Sequence, residues 1–127
     1  MVTEIMMDDM TRPLPEPDNV IRVVMFYGAG CGPCKATMPH YETISDMFDG
    51  MPIDIKFFRI NAWEPPEQRE FVSKVYGISG VPHFRVFFRG EYVIDKVGGG
   101  DEPTMKKFIY QAIDEVFKRY GGKVDES

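Results

Sequence analysis

From Val20 to Tyr27 the chain reads Val-Ile-Arg-Val-Val-Met-Phe-Tyr, a run of β-branched and aromatic residues interrupted only by Arg22. A strand of this kind has no polar face to offer to water, so it must lie in the middle of a sheet that is covered on both sides. That requirement calls for helices above and below. The sequence supplies them. Gly28-Ala29-Gly30 makes a compact turn, and Pro33 suits the first turn of a helix, where its missing amide costs nothing. Cys34, Met38, Tyr41, Ser45 and Phe48 follow at helical spacing. Pro39 is expected to kink this helix, and Gly50 with Pro52 to end it.

Ile53 to Ile60 reads as a second strand, and Pro65-Pro66 opens a helix that should carry Phe71, Val72 and Val75 inward and stop at Gly77. Strand, helix, strand, helix is the order of an α/β layer fold. The rhythm then changes, because Phe84 to Phe88 and Tyr92 to Val97 flank Arg89-Gly90-Glu91 as an antiparallel hairpin would. Gly98-Gly99-Gly100 breaks the pattern, and Asp101 can cap a last helix with an apolar stripe of Met105, Phe108, Ile109, Ala112, Ile113, Val116 and Phe117, ending at Gly121-Gly122. At the other end, Val2 to Met7 suits a short strand. The alternate prolines Pro13, Pro15 and Pro17 that follow demand an extended connection. The whole of 1–127 is read as one domain, with 1–19 an N-terminal strand and Pro-rich connection and 123–127 a frayed tail.

Both cysteines of the chain fall in Cys31-Gly32-Pro33-Cys34. A chain with 43% hydrophobic residues can build a core without a disulfide staple, and a secreted mini-protein would carry more cysteines. The pair therefore reads as chemistry: a reversible two-electron dithiol switch at a helix start. A metal would need two further ligands, with only His40, His83 or carboxylates at hand, so no metal is expected. The net charge of -5 argues against nucleic acid or an anionic membrane as partner. No basic leader or apolar span stands out, and a soluble protein of a reducing cytoplasm is expected.

The apolar strand, Cys31-Gly32-Pro33-Cys34-Lys35 opening a helix with Pro39 in it, Tyr76-Gly77-Ile78-Ser79-Gly80-Val81-Pro82, and a hairpin followed by Gly98-Gly99 together resemble the thioredoxin family over roughly residues 20 to 120. The resemblance implies a thioredoxin fold with a central mixed sheet flanked by helices. It further implies a cis bond before Pro82 and reduction of protein disulfides by a monomer that needs no cofactor beyond the Cys31–Cys34 pair. A thioredoxin-reductase-like protein or another dithiol would recharge it. Cys31, at the helix N-terminus, is expected as the nucleophile because unpaired amides and the macrodipole favour a thiolate there. Cys34 is expected to resolve the mixed disulfide. Gly32, Pro33, Val81 and Pro82 would support the pair. Gly30, Gly80, Val81, Gly98 and Gly99 would line a groove in which Val81 pairs with an extended substrate segment.

The chain departs from the family pattern beside both cysteines. Gly30 and Ala29 replace the usual tryptophan and acidic residue before the first cysteine, which opens the groove. Met25 stands where the family carries a buried aspartate, and Arg59 replaces a nearby lysine. A methionine accepts no proton, so resolution by Cys34 is expected to fall to hydroxide, water or the substrate. The family's first helix is expected to be absent, its place taken by the Pro-rich segment. His83 could tune the thiolate, but strand alternation favours a side chain that points away. His40 is expected in solvent, Trp63 as a cap on the core, and the nine methionines as core filler. The other functions open to such a chain are a binding scaffold with weak redox activity and a metal site on the two cysteines.

Overall fold

A computed structural model describes residues 1–11 and 18–121. The elements run β1 (Val2–Ile5), α1 (Met7–Thr11), β2 (Ile21–Tyr27), α2 (Gly32–Asp49), β3 (Ile55–Asn61), α3 (Pro66–Tyr76), β4 (His83–Phe88), β5 (Glu91–Val97) and α4 (Glu102–Tyr120). They form a five-stranded mixed sheet in the order β1-β3-β2-β4-β5. The central strand is β2, parallel to β3 on one side and antiparallel to β4 on the other. Its residues Ile21 to Phe26 are all buried. Arg22, the polar exception, is 7% exposed and reaches Asp18 through two hydrogen bonds of 2.7 and 2.8 Å. These bonds answer the cost of burying its charge.

Alternation along β2 divides the core. Ile21, Val23 and Met25 pack with Tyr41, Ile44 and Phe48 of α2 and Met105, Ile109 and Val116 of α4. Val24 and Phe26 face the other way, onto Ile60, Val72 of α3 and Ile78. Helix ends carry the expected stops: Gly77 and Gly121 adopt the left-handed conformation with φ of 67° and 65°, and the Asp101 side chain accepts from the Thr104 amide at 3.0 Å. The hairpin turn places Arg89 and Gly90 at positive φ, as a two-residue turn between twisted strands requires.

Three expectations change. A five-residue helix, α1, follows β1, so the N-terminal region is not wholly extended. The proline segment 12–17 and the tail 123–127 lie outside the described residues. Val75 is 59% exposed, because the face of α3 turned to the sheet is centred on Val72 and Gln68. Phe117 is 40% exposed, lying one position beyond the edge of the stripe that ends with Val116. Gln68 is buried because it is a polar bracket: its side-chain amide donates to the Asn61 carbonyl at 2.7 Å and its carbonyl accepts from the Met7 amide at 2.8 Å. That bracket holds the end of β1 and start of α1 to α3.

Tyr41 joins α2 to the sheet. Its ring meets Phe57 and Phe84 edge-on, and its hydroxyl lies 2.8 Å from the Phe58 carbonyl and 3.1 Å from that of Val23, on adjacent strands. Tyr41→Phe keeps the ring and removes the donor, so we expect a loss of about 1 to 2 kcal/mol in urea unfolding with an unchanged denaturant slope.

Candidate active site

The Gly28-Ala29-Gly30 turn carries the chain from the end of β2 to the start of α2. The Cys31 amide donates to the Gly28 carbonyl at 3.2 Å, closing the turn. Cys31 is the N-cap of α2 with φ -82° and ψ 111°, and its sulfur accepts from the Cys34 amide at 3.2 Å. The two sulfurs are joined as a disulfide with Cα atoms 5.2 Å apart. Cys31 is 6% exposed and Cys34 2%, whereas Gly32 and Pro33 between them are exposed. An N-terminal amide thus points at the Cys31 sulfur, the electrostatic setting that favours a thiolate when the bond opens.

The Val81–Pro82 bond is cis, and the Val81 carbonyl lies 3.8 Å from the Cys31 sulfur. The Pro82 carbonyl accepts from the Gly98 amide at 2.9 Å, which holds the Gly98-Gly100 loop beside this segment. Lys96 Nζ donates to the Gly98 and Gly99 carbonyls, and the Gly100 amide donates to Thr37 Oγ1 at 3.2 Å. A side chain at Gly99 would collide with the Thr37 hydroxyl. Glycine is required there by close approach, while Gly30 and Gly80 border open space. Gly30 directly precedes Cys31, Gly80 and Val81 precede the cis bond, Gly98 is bonded to Pro82, and Gly99 lines a separate cleft with Pro33, Thr37 and His40.

Met25 is fully buried in the core cluster that contains both cysteines. Its neighbour across the ladder, Arg59, donates from Nε to Glu4 at 2.7 Å and lies over the Tyr27 ring at 5.6 Å. Tyr27 bonds Glu4 through its hydroxyl, and burial together with that bond pushes its phenol up to about 12. Tyr27 and Arg59 share with Cys34, Lys35 and Met38 a cleft of about 220 Å³. His83 alternates away from the cysteines, onto the face of Phe26, and its Nε2 lies 2.8 Å from Asp95. It belongs to a structural group with Arg85, which also grips Asp95. Burial alone would raise the Asp95 carboxyl, but the bonds from Arg85 and His83 outweigh it and hold the group below its ordinary 3.8. His40 lies 3.7 Å from Glu102 on the flank of α2.

Trp63 does cap the core, touching both clusters, but it also lines a cleft with Ile78, Ser79 and Val81. A Cβ on Gly28 would fall inside the Trp63 ring system. The absence of a side chain at Gly28 was the one local signal of this contact. The Glu4 contacts had none, since they join residues 23 and 55 positions apart. Among the described residues, no group of metal-ligating side chains is assembled.

A disulfide at a helix N-cap, at the end of a central strand and beside a cis X-Pro bond, defines a thiol–disulfide oxidoreductase. The thioredoxin family model matches residues 10–111, and the chain belongs to the thioredoxin family. It is 33% identical to a thioredoxin of Malassezia sympodialis over 103 residues, 81% of this chain and 90% of that one. It is 30% identical to protein disulfide-isomerase 2-3 of Arabidopsis thaliana over 95 residues, 75% of this chain but 20% of the plant protein. Spinach chloroplast thioredoxin f superposes with a TM-score of 0.72 at 24% identity, covering 88% of this chain and 93% of that one.

Two outcomes follow. Gly28→Ala should displace the single tryptophan, shifting its fluorescence maximum and lowering stability by about 1 to 3 kcal/mol. Asp95, depressed in the folded state, contributes stability that is complete above pH 3.8 and lost as the pH falls through its lower folded value. Acid unfolding followed by circular dichroism should show this contribution being lost as the pH falls below 3.8, and Asp95→Asn should remove this part of the pH dependence while weakening the fold at neutral pH.

Proposed function

We propose that this protein reduces disulfides in protein substrates, with Cys31 as nucleophile and Cys34 as resolving thiol. The observation that supports this most directly is the asymmetry of the pair. Cys31 caps the helix beside the Val81 carbonyl, while Cys34 lies one turn inside and is the less exposed. The Cys31 thiolate attacks one substrate sulfur, forming a mixed disulfide and releasing the other sulfur as a thiolate. Cys34, deprotonated, attacks Cys31; the Cys31–Cys34 bond forms, the bond from Cys31 to the substrate breaks, and the electron pair leaves on the substrate sulfur first attacked. The substrate gains two electrons and the pair loses them. An external dithiol, such as a thioredoxin-reductase-like protein, returns the pair to the reduced state.

Substrate is read as an extended segment laid along Val81, in the groove bordered by Gly30, Gly80, Gly98 and Gly99. Gly30 leaves that rim without a side chain, so backbone pairing carries more of the binding than aromatic contact. A monomer acting in a reducing cytoplasm fits this reading.

The test is reduction of insulin disulfides with dithiothreitol as the electron source. Intact protein should accelerate it. Cys31→Ser should reduce the rate to background, and Cys34→Ser should accumulate a covalent adduct through Cys31, visible by mass spectrometry and removed by excess dithiol. A rate for the intact protein no higher than dithiothreitol alone would favour a binding scaffold.

A further inference from the structure

Met25, buried in the same core cluster as Cys34, offers no proton acceptor, yet the sheet brings a carboxylate to the same face from two strands away. Parallel pairing sets Met25 beside Arg59, and Arg59 beside Glu4. Lateral neighbours in a ladder point to the same side, so these three residues form a row on the face covered by α2. Tyr27, two positions beyond Met25, shares that face and packs against the same core cluster.

The row is joined by short contacts. Arg59 Nε donates to Glu4 Oε1 at 2.7 Å, and the Tyr27 hydroxyl lies 2.8 and 3.0 Å from the two Glu4 oxygens. Tyr27 and Arg59 then form one wall of the cleft of about 220 Å³ that Cys34 borders. A water molecule occupies about 30 Å³ in the liquid, so this volume admits several. Glu4 is partly exposed, with 38% of its side-chain surface accessible, and can exchange protons with solvent behind the cleft.

We propose that Glu4, acting through the Tyr27 hydroxyl, takes up the proton of Cys34 when the mixed disulfide is resolved, and that Arg59 holds the carboxylate in place. This rests on the disulfide-exchange reading. Cys34 S–H gives its proton to water in the cleft; that water protonates the Tyr27 oxygen as Tyr27 passes its own proton to Glu4. The Cys34 thiolate attacks Cys31, the Cys31–Cys34 bond forms, the bond from Cys31 to substrate breaks, and the pair of electrons leaves on the substrate sulfur. Glu4 then releases the proton to solvent.

The other charged groups of the cleft cannot take this role. Lys35, on α2, and Arg59, on β3, both favour a thiolate but have no lone pair to offer as cations. Tyr27 holds its proton strongly, so it relays rather than ionises. His83 lies on the opposite face with Asp95.

The experiment mixes reduced protein rapidly with the aryl disulfide dithiobis(nitrobenzoate), whose coloured thiolate is released once on attack by Cys31 and again on resolution by Cys34. Wild type, Glu4→Gln and Tyr27→Phe are compared from pH 6 to pH 9. The relay requires an unchanged first release in all three. It requires a second release slowed at least about tenfold at pH 7 in both variants, rising steeply with pH to meet wild type where hydroxide removes the proton directly. A second release equal to wild type throughout would overturn the relay, as would a slowing that is the same at every pH, which marks a structural defect. Failure of wild type to give a first release would instead overturn the disulfide-exchange reading.

Discussion

The burial of β2 on both faces and both edges is the constraint on which the rest depends. A strand with no solvent side must recruit a helical layer for each face and a neighbouring strand for each edge, and every element that touches the cysteines is one of these recruits. α2 is placed by Tyr41, Ile44 and Phe48 packing onto Val23 and Met25. The Val81–Pro82 segment is placed because β4 begins one residue later and pairs His83 with Phe26. The disulfide thus lies where the strand ends, at the junction of two recruited elements, and its surroundings inherit the rigidity of the sheet.

Much of this was legible in the sequence because the deciding patterns are local. The continuous apolar run announced the central strand, Gly28-Ala29-Gly30 and Pro33 announced the start of α2, and Asp101 announced α4. What escaped depends on contacts between distant positions. Gln68 is polar in sequence and buried in the fold, since its partners Met7 and Asn61 come from elements that only the completed sheet brings near it. Val75 and Phe117 are apolar in sequence and exposed in the fold, because a helix buries a stripe whose width is set by what faces it and not by its own composition. The site divides in the same way: Cys31, Cys34 and Val81-Pro82 could be read from motifs, whereas Glu4, Tyr27 and Trp63 enter only through strand register and packing.

The departures around the pair look different once placed in three dimensions. Gly30 removes an aromatic rim, but Trp63 fills space over Gly28 and walls a cleft beside Val81. Aromatic surface beside Val81 comes from the loop after β3 and not from the turn before α2. Met25 removes polarity from the centre of the sheet, which is energetically favourable because an unpaired carboxylate there would be costly. Arg59 and Glu4, further out on the same face, remain paired and partly hydrated.

Each cysteine consequently faces its own environment. Cys31 meets backbone: the Cys34 amide and the Val81 carbonyl lie at its sulfur, and the nearby Gly30 and Gly80 border open space. Cys34 meets side chains: Tyr27, Lys35, Met38 and Arg59 around an open cleft. In the proposed function, backbone surroundings suit many substrates because every polypeptide offers the same amides and carbonyls, while a side-chain cleft can differ without disturbing that recognition. In the proposed mechanism, attack by Cys31 and resolution by Cys34 therefore draw on separate surroundings, backbone for the first and the Tyr27, Lys35, Met38 and Arg59 cleft for the second.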